Sequence, residues 1–163
     1  MKKKVYFNSH LQQMLLWFIL LLLVSLVACS TGDETDSAGG TESDSIQNIV
    51  WQWTSVTEKS TGNETTVPLP RLYTIIFNSD GTMTGQADCN TFSGTYSQEN
   101  GFTINLGPST LAACGEDSLD QVYLGLLSSV AAGGPDGSGG LALETAGGAE
   151  RMLFQNGGPV PGS

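Results

Sequence analysis

Residues 85–101 read GQADCNTFSGTYSQENG and place one cysteine, one asparagine and a run of hydroxyl side chains between glycines. Two interpretations are open, a reactive site or part of the scaffold. The thiol of Cys89 follows Asp88 and has no histidine or lysine beside it to stabilise a thiolate. The short polar side chains of residues 90–95 serve turns and sheet edges as readily as they serve a ligand. We therefore interpret the stretch as scaffold.

The residues on either side of this stretch form short strand patterns separated by turn signals. Asp80-Gly81 stands between two runs rich in β-branched and aromatic residues, which is a strong hairpin signal. Gly85 indicates a bulge or a close backbone approach in the second run. The pattern predicts an antiparallel sheet. The predicted strands are 49–53, 71–77, 82–87, 92–96, 102–106, 141–143 and 151–155, with a loop or ragged edge hairpin before residue 70 and a turn at Gly147-Gly148.

One segment departs from this alternation and predicts a helix. Its apolar residues recur at helical spacing, and such a stripe is more often core than a partner groove. Ser118 and Gln121 fit a capping box, and the Gly-Gly-Pro at 133–135 ends the segment. The predicted fold class is therefore α+β, a small antiparallel β-sheet domain with one main helix packed on it. The stripe consists of Leu119, Val122, Tyr123, Leu126, Leu127 and Val130.

The first 28 residues are predicted to be a signal peptide. Three lysines precede the apolar run Met14–Ala28, which is shorter than the ~20 residues of a membrane-spanning helix. The run ends in Leu-Val-Ala before Cys29, which resembles the lipobox of bacterial lipoproteins. That resemblance implies cleavage before Cys29 and lipidation of its sulfur; the alternative is an uncleaved anchor with a chance cysteine. Both interpretations place the rest of the chain outside the cytoplasm. Because Ser30 follows Cys29, the lipoprotein resemblance implies the outer membrane if the source has two membranes.

The mature chain is predicted to have three parts. Residues 29–47 are acidic and nearly free of large apolar side chains, so we expect a lipidated, disordered linker. Residues 48–155 are long enough for one small domain. Residues 156–163 are expected to be a flexible tail.

The charge and the single histidine exclude several classes of function. After removal of the signal, 3 basic and 16 acidic residues remain, a formal charge of 3 − 16 = −13, which argues against nucleic acid as a partner. His10 is lost with the signal, so histidine-dependent catalytic and metal sites are excluded. Asn78-x-Asp80-Gly81 is similar to the start of a calcium loop, but the remaining ligands are missing. We expect no enzyme activity, no metal and no cofactor.

Cys89 and Cys114 are the two cysteines that remain beside Cys29. An even pair in an oxidising compartment favours a disulfide. Two structural free thiols and a reactive Cys89 stay open as alternatives.

A longer pattern resembles a known family. Phe77, Asp80-Gly81 and Gly85 are followed by the run 87–96, ADCNTFSGTY, and then by Ser109-Thr110 and Ala113-Cys114. Together they resemble the META domain of the group that includes the heat-shock protein HslJ. The resemblance implies a helix-backed antiparallel fold, found in envelope lipoproteins of which some are linked to heat or antibiotic stress. It does not imply a catalytic site. Its motif residues are Asp80, Gly81, Gly85, Asp88, Asn90, Phe92, Gly94, Tyr96, Ser109 and Thr110; many members carry glycine in place of Asp88.

Three hypotheses about function follow. The first is a lipid-anchored monomer that supports cell-envelope stress tolerance without catalysis, through contacts with an envelope component such as a protein partner. The second is a binding module for a small molecule or peptide that uses Trp51 and Trp53 at the surface, although burial of both rings in the core is the favoured alternative for them. The third is an enzyme, either a thiol redox enzyme that uses Cys89 and Cys114 or one that uses carboxylates.

Overall fold

The computed structural model describes residues 45–162, which form a sheet and one α-helix. Eight strands are hydrogen-bonded in the order β6-β5-β4-β3-β1-β9-β8-β7, all antiparallel, and the short β2 pairs with β1. The α+β class expected from the sequence is confirmed. The strands are β1 Ile49–Glu58, β2 Glu64–Thr66, β3 Tyr73–Phe77, β4 Thr82–Ala87, β5 Asn90–Ser97, β6 Thr103–Ser109, β7 Val130–Pro135, β8 Leu141–Thr145 and β9 Glu150–Pro159.

The strands follow the period-2 pattern of their sequences. In β3, Tyr73, Ile75 and Phe77 are buried, whereas Thr74 and Ile76 stand on the opposite face. The turn after β3 is the predicted Asp80-Gly81 hairpin, and Gly81 lies at a φ of 82°, where glycine is favoured. β1 is longer than predicted and pairs with β2, so the polar stretch before residue 70 contains an edge hairpin.

The helix α1 runs Asp120–Ser128 and is shorter than predicted. The capping box is wrong, because the Gln121 N–H donates to Asp120 Oδ1 (2.7 Å) and not to Ser118. The expected Gly-Gly-Pro stop is also wrong. Ala146 N–H donates to the Ser129 carbonyl (2.8 Å), and Val130 already pairs with Thr145 in β7. Strand pairing to β8 therefore overrides the low strand propensity of residues 133–135.

The core lies between the inner face of the curled sheet and α1. Tyr123 of α1 stacks on Trp53 (ring centroids 5.1 Å apart) and meets Tyr73 and Phe92 edge-on. The two ends of the sheet approach each other where Phe102 N–H donates to the Ala131 carbonyl (3.3 Å). The apolar stripe of the helix therefore packs into the core, as predicted, except for Val122, which is exposed.

The ordered domain extends beyond both of its expected limits. Ile46 is buried, and Gln47 forms a bridge with Phe77, although both residues were assigned to the linker. β9 continues to Pro159 because its last residues pair with the start of β1, so residues 156–159 are strand and not tail. The predicted signal peptide and Cys29 lie outside the described residues. Within residues 45–162, no helix is both long and apolar enough to cross a membrane.

Candidate functional site

Asn90, at the start of β5, is the most densely bonded residue of the family motif. Its side chain is only 2% exposed. Its Oδ1 accepts hydrogen bonds from Ala112 N–H (2.8 Å) and Thr110 Oγ1 (3.0 Å). Its Nδ2 donates to the Ala112 carbonyl (3.0 Å) and to Asp120 Oδ2 (3.1 Å). One amide therefore fastens the loop 110–119 and the first turn of α1 to the sheet.

Cys89 and Cys114 form a disulfide beside Asn90, with their sulfur atoms 2.02 Å apart. The disulfide interpretation is confirmed, and the free-thiol and reactive-thiol alternatives are wrong for this structure. The disulfide closes the loop that Asn90 also holds, so a covalent bond and hydrogen bonds stabilise the same segment. This arrangement supports the scaffold interpretation for Cys89 and Asn90 of the stretch 85–101.

Asp88 lies at a φ of 58°, in the left-handed region that favours glycine, and aspartate is among the residues that tolerate this conformation best. Its N–H donates to the Leu72 carbonyl (2.7 Å), and its Oδ2 accepts a long hydrogen bond from Tyr73 Oη (3.4 Å). Asp88 therefore meets a backbone requirement that glycine would also satisfy.

Gly85 and Gly94 allow the strands on either side of Phe92 to pack closely. A Cβ on Gly85 would lie 2.4 Å from the Phe92 ring and 2.3 Å from the Thr74 carbonyl oxygen. A Cβ on Gly94 would lie 2.3 Å from the Asn105 carbonyl oxygen. These motif glycines are thus required by packing, as the sequence suggested for Gly85.

Three further motif residues lie at the opposite end of the hairpins: Asp80, Gly81 and Tyr96. Tyr96 N–H donates to the Gly81 carbonyl (2.9 Å), and its hydroxyl donates to the Asn78 carbonyl (2.9 Å). Hydrogen bonds from the Thr82 hydroxyl and backbone hold the pKa of Asp80 below its usual range. Asp80 therefore stabilises the turn between β3 and β4.

Within the described residues, no three His, Cys, Asp or Glu side chains are grouped so that they could hold a metal ion.

Sequence reasoning missed an open groove on the outer face of the sheet, the face away from α1. It has a volume of about 590 Å³ and runs across β3, β4, β5 and the end of β6. Six of the eleven residues that line it are threonine or serine, and Ile76 and Pro108 supply apolar contact. The motif residues Gly85, Phe92, Ser109 and Thr110 also line it. The signal for the groove was the alternation of Thr and Ser with buried residues in these strands.

The groove carries no charge. The four strands β3, β4, β5 and β6 contain no Asp, Glu, Lys or Arg, although the chain has 16 acidic residues. The acidic residues near them, Asp80, Asp88 and Glu99, lie in the connecting turns. A ligand in the groove would therefore meet neutral hydrogen-bonding groups and some apolar surface.

The second hypothesis is wrong in the form that uses surface tryptophans. Trp51 is 3% exposed and Trp53 is fully buried. Their indole N–H groups donate to the backbone carbonyls of Ile46 and Ser55, at 2.8 and 2.9 Å. Both rings belong to the core and cannot meet a ligand at the surface.

Comparison with known proteins agrees with this architecture. The family model described as META domain matches residues 44–157. Among solved structures, the chain is similar to a DUF4847 family protein from Bacteroides vulgatus, with a TM-score of 0.52 and 17% identity over 68% of this chain and 93% of that one. At this identity the likeness concerns the fold alone. No curated protein shows significant similarity to the chain.

The family match covers well over half of the chain and includes Asn90 with its hydrogen-bond partners, the disulfide and the groove. The chain therefore belongs to the META domain family.

Proposed function

We propose that this chain is a lipid-anchored, extracytoplasmic META-domain protein of the HslJ type. In this proposal it supports envelope stress tolerance, without catalysis, by holding an uncharged envelope component in the groove. The observation that carries the proposal is the neutral groove in an otherwise acidic domain. Ligand sites are concave surfaces in which a few polar groups converge beside apolar contact, and the groove has both.

The membrane attachment rests on the sequence at Cys29. Each acyl methylene buried in the membrane contributes about 0.8 kcal/mol to membrane binding, so two or more acyl chains would keep the protein on its membrane. The acidic linker would then hold the domain away from the lipid surface. Mass determination of the membrane-extracted protein tests this: we expect an acylated chain that starts at Cys29. An unlipidated mass would remove the localisation from the proposal.

A thiol redox activity gains no support from the site. The two cysteines are bonded to each other, and their loop is also held by Asn90. A binding role needs no such chemistry, and the disulfide and Asn90 instead fix the end of β6, which lines the groove.

Complementation in a deletion strain tests the role of the groove. Thr84→Lys places a charged side chain in the groove, whereas Thr95→Lys makes the same change at an exposed position of the sheet outside it. We expect wild type and Thr95→Lys to restore survival under heat or antibiotic stress, and Thr84→Lys to fail although it reaches the membrane in equal amount. Full rescue by Thr84→Lys, or a deletion strain with normal survival, would contradict the proposal.

A further inference from the structure

One row of neutral polar side chains crosses the outer face of the sheet and enters the groove. It consists of Gln155 of β9, Gln52 of β1, Thr74 of β3, Gln86 of β4 and Thr91 of β5, here called the polar row. Each residue is the register partner of the next. With strands about 4.8 Å apart, the five side chains span roughly 19 Å.

The members of the row stand on the outer face because their chain neighbours are buried. Gln52 lies between Trp51 and Trp53, and Thr91 lies between Asn90 and Phe92, all four of which are core residues. Thr74, Gln86 and Thr91 line the groove. The row is therefore a straight series of hydrogen-bonding groups that continues the groove toward β9.

Much of the hydrogen-bonding capacity along this face is not used by the protein itself. Within residues 45–162, the hydroxyls of Thr74 and Thr91 have no hydrogen-bond partner, and the same holds for Thr84 and Ser93 beside them in the groove. Gln155 Nε2 donates to Gln52 Oε1 (2.8 Å), which fixes the orientation of both amides, and Gln86 Nε2 donates to the Asp88 carbonyl (2.7 Å). Thr84 and Thr91 are exposed and Thr74 and Ser93 are half-buried, so their hydroxyls can exchange water for a ligand without breaking the fold.

We propose that the polar row and the groove bind an uncharged glycan strand that lies across the strands of the sheet. This inference rests on the proposed function and names the class of component that the groove holds. Sugar rings present hydroxyls at their edges and C–H groups on their faces. Hydroxyls and amides of the row match the edges, and Ile76 and Pro108 match the faces. Successive sugars repeat at roughly the strand spacing of about 4.8 Å.

The charge of the domain favours a neutral glycan over a charged polymer. The described residues carry 3 basic and 11 acidic side chains, a formal charge of 3 − 11 = −8. A polyanion would be repelled by this charge. A polycation would be drawn to the acidic turns and would gain nothing from a face without carboxylates. A neutral, hydroxyl-rich glycan is neither repelled by the domain nor drawn away from this face to the acidic turns.

A protein partner fits this face less well. Protein interfaces depend on aromatic or large apolar anchors at their centre. Among the described residues, the large apolar side chains that are exposed are Leu69, Leu111 and Val122, and none of them lies in the groove or on the row. An extended peptide would add to a free strand edge and would not cross several strands on their face.

The test uses the full lipidated chain in phosphatidylcholine vesicles and labelled neutral oligomers of glucose, mannose and N-acetylglucosamine, two to six sugars long. We expect at least one series to bind, with affinity that rises with length up to about four sugars, the number that fits the ~19 Å row. Thr74→Ala and Thr91→Ala should each weaken binding about fivefold, the effect of one lost hydrogen bond of about 1 kcal/mol.

Thr95→Ala is the matched control. It lies on the same strand and face as Thr91, about 13 Å along β5, and does not line the groove. It should bind as wild type does. No binding by any neutral series, binding unaffected by Thr74→Ala and Thr91→Ala, or preferential binding of a peptide or a charged glycan would overturn the inference. If Thr84→Lys still abolished stress survival in those cases, the proposed function would stand and only the ligand class would fall.

Discussion

Replacement of Asn90 by alanine should destabilise the domain more than any other single change to a polar residue of the motif. The change removes the donor to Asp120 Oδ2 and both bonds to the Ala112 backbone. A bond to a charged group contributes about 1.5–3 kcal/mol and a neutral bond about 1 kcal/mol. Because the loop near residue 112 is exposed and can recover some bonds with water, we expect a net loss of about 3–4 kcal/mol in the free energy of unfolding.

Urea and thermal unfolding of the chain from Cys29 to Ser163 measure this loss. The buried Trp51 and Trp53 provide the fluorescence signal, since the only other tryptophan, Trp17, lies in the predicted signal peptide. For a domain of this size, a loss of 3 kcal/mol lowers Tm by roughly 10 °C. Asn105→Ala, at an exposed position on β6, is the control and should change stability by less than about 0.5 kcal/mol.

Two further variants separate the contributions at this site: Asn90→Asp, and the double variant Cys89→Ser, Cys114→Ser, which removes the disulfide. Asn90→Asp keeps the size of the side chain but puts a second carboxylate where the amide lay 3.1 Å from Asp120. It should therefore be at least as destabilising as Asn90→Ala at neutral pH and recover partly in acid. The disulfide closes a 25-residue loop and should contribute about 3–4 kcal/mol in the chain-entropy model.

Asn90 and the disulfide hold the same loop, so losing both should cost less than the sum of the separate losses. A loss below about 1 kcal/mol for Asn90→Ala, or strict additivity with Cys89→Ser, Cys114→Ser, would refute this account of the loop.

Three other changes have defined outcomes in the same unfolding assay. Tyr123→Phe should leave stability unchanged or raise it by up to about 1 kcal/mol, because the Tyr123 hydroxyl is the one buried side-chain polar atom without a hydrogen-bond partner in residues 45–162; a loss above 1 kcal/mol would contradict this. Gly94→Ala should cost about 2 kcal/mol or more through its clash with the Asn105 carbonyl, whereas Gly134→Ala, which has open space around its Cβ, should be nearly neutral; equal effects would show that packing is not the reason. Glu144 has a pKa below its ordinary value of 4.5, first because of the hydrogen bond from Lys59, so its stabilising contribution is present above that value and is lost as the pH falls through the lowered pKa. Glu144→Gln should therefore cost at most about 1 kcal/mol at pH 7, with a difference from wild type that disappears in acid, and a constant difference at all pH values would argue against the ion pair.

Much of the fold could be predicted from local sequence patterns. Alternating burial and the Asp80-Gly81 turn defined β3 and β4, because period-2 alternation and the conformational demands of a tight turn are properties of a few neighbouring residues. The even number of cysteines after Cys29 and the motif glycines were also informative from the sequence alone. The limits of α1 and β7 could not be predicted in this way, because pairing of Val130 with Thr145 ends the helix before the Gly-Gly-Pro that the sequence offers as its stop.

The sequence by itself determined the antiparallel α+β class, and it favoured the disulfide without deciding it. Only the tertiary structure decided what faces the solvent. Whether Trp51 and Trp53 lie at the surface or in the core is decided only when β1 is placed in the centre of the sheet, where both side chains enter the core. The polar row likewise exists only after pairing, because its five residues come from five strands spread over more than one hundred positions. Their alignment depends on strand register, which is set by contacts between segments distant in the chain.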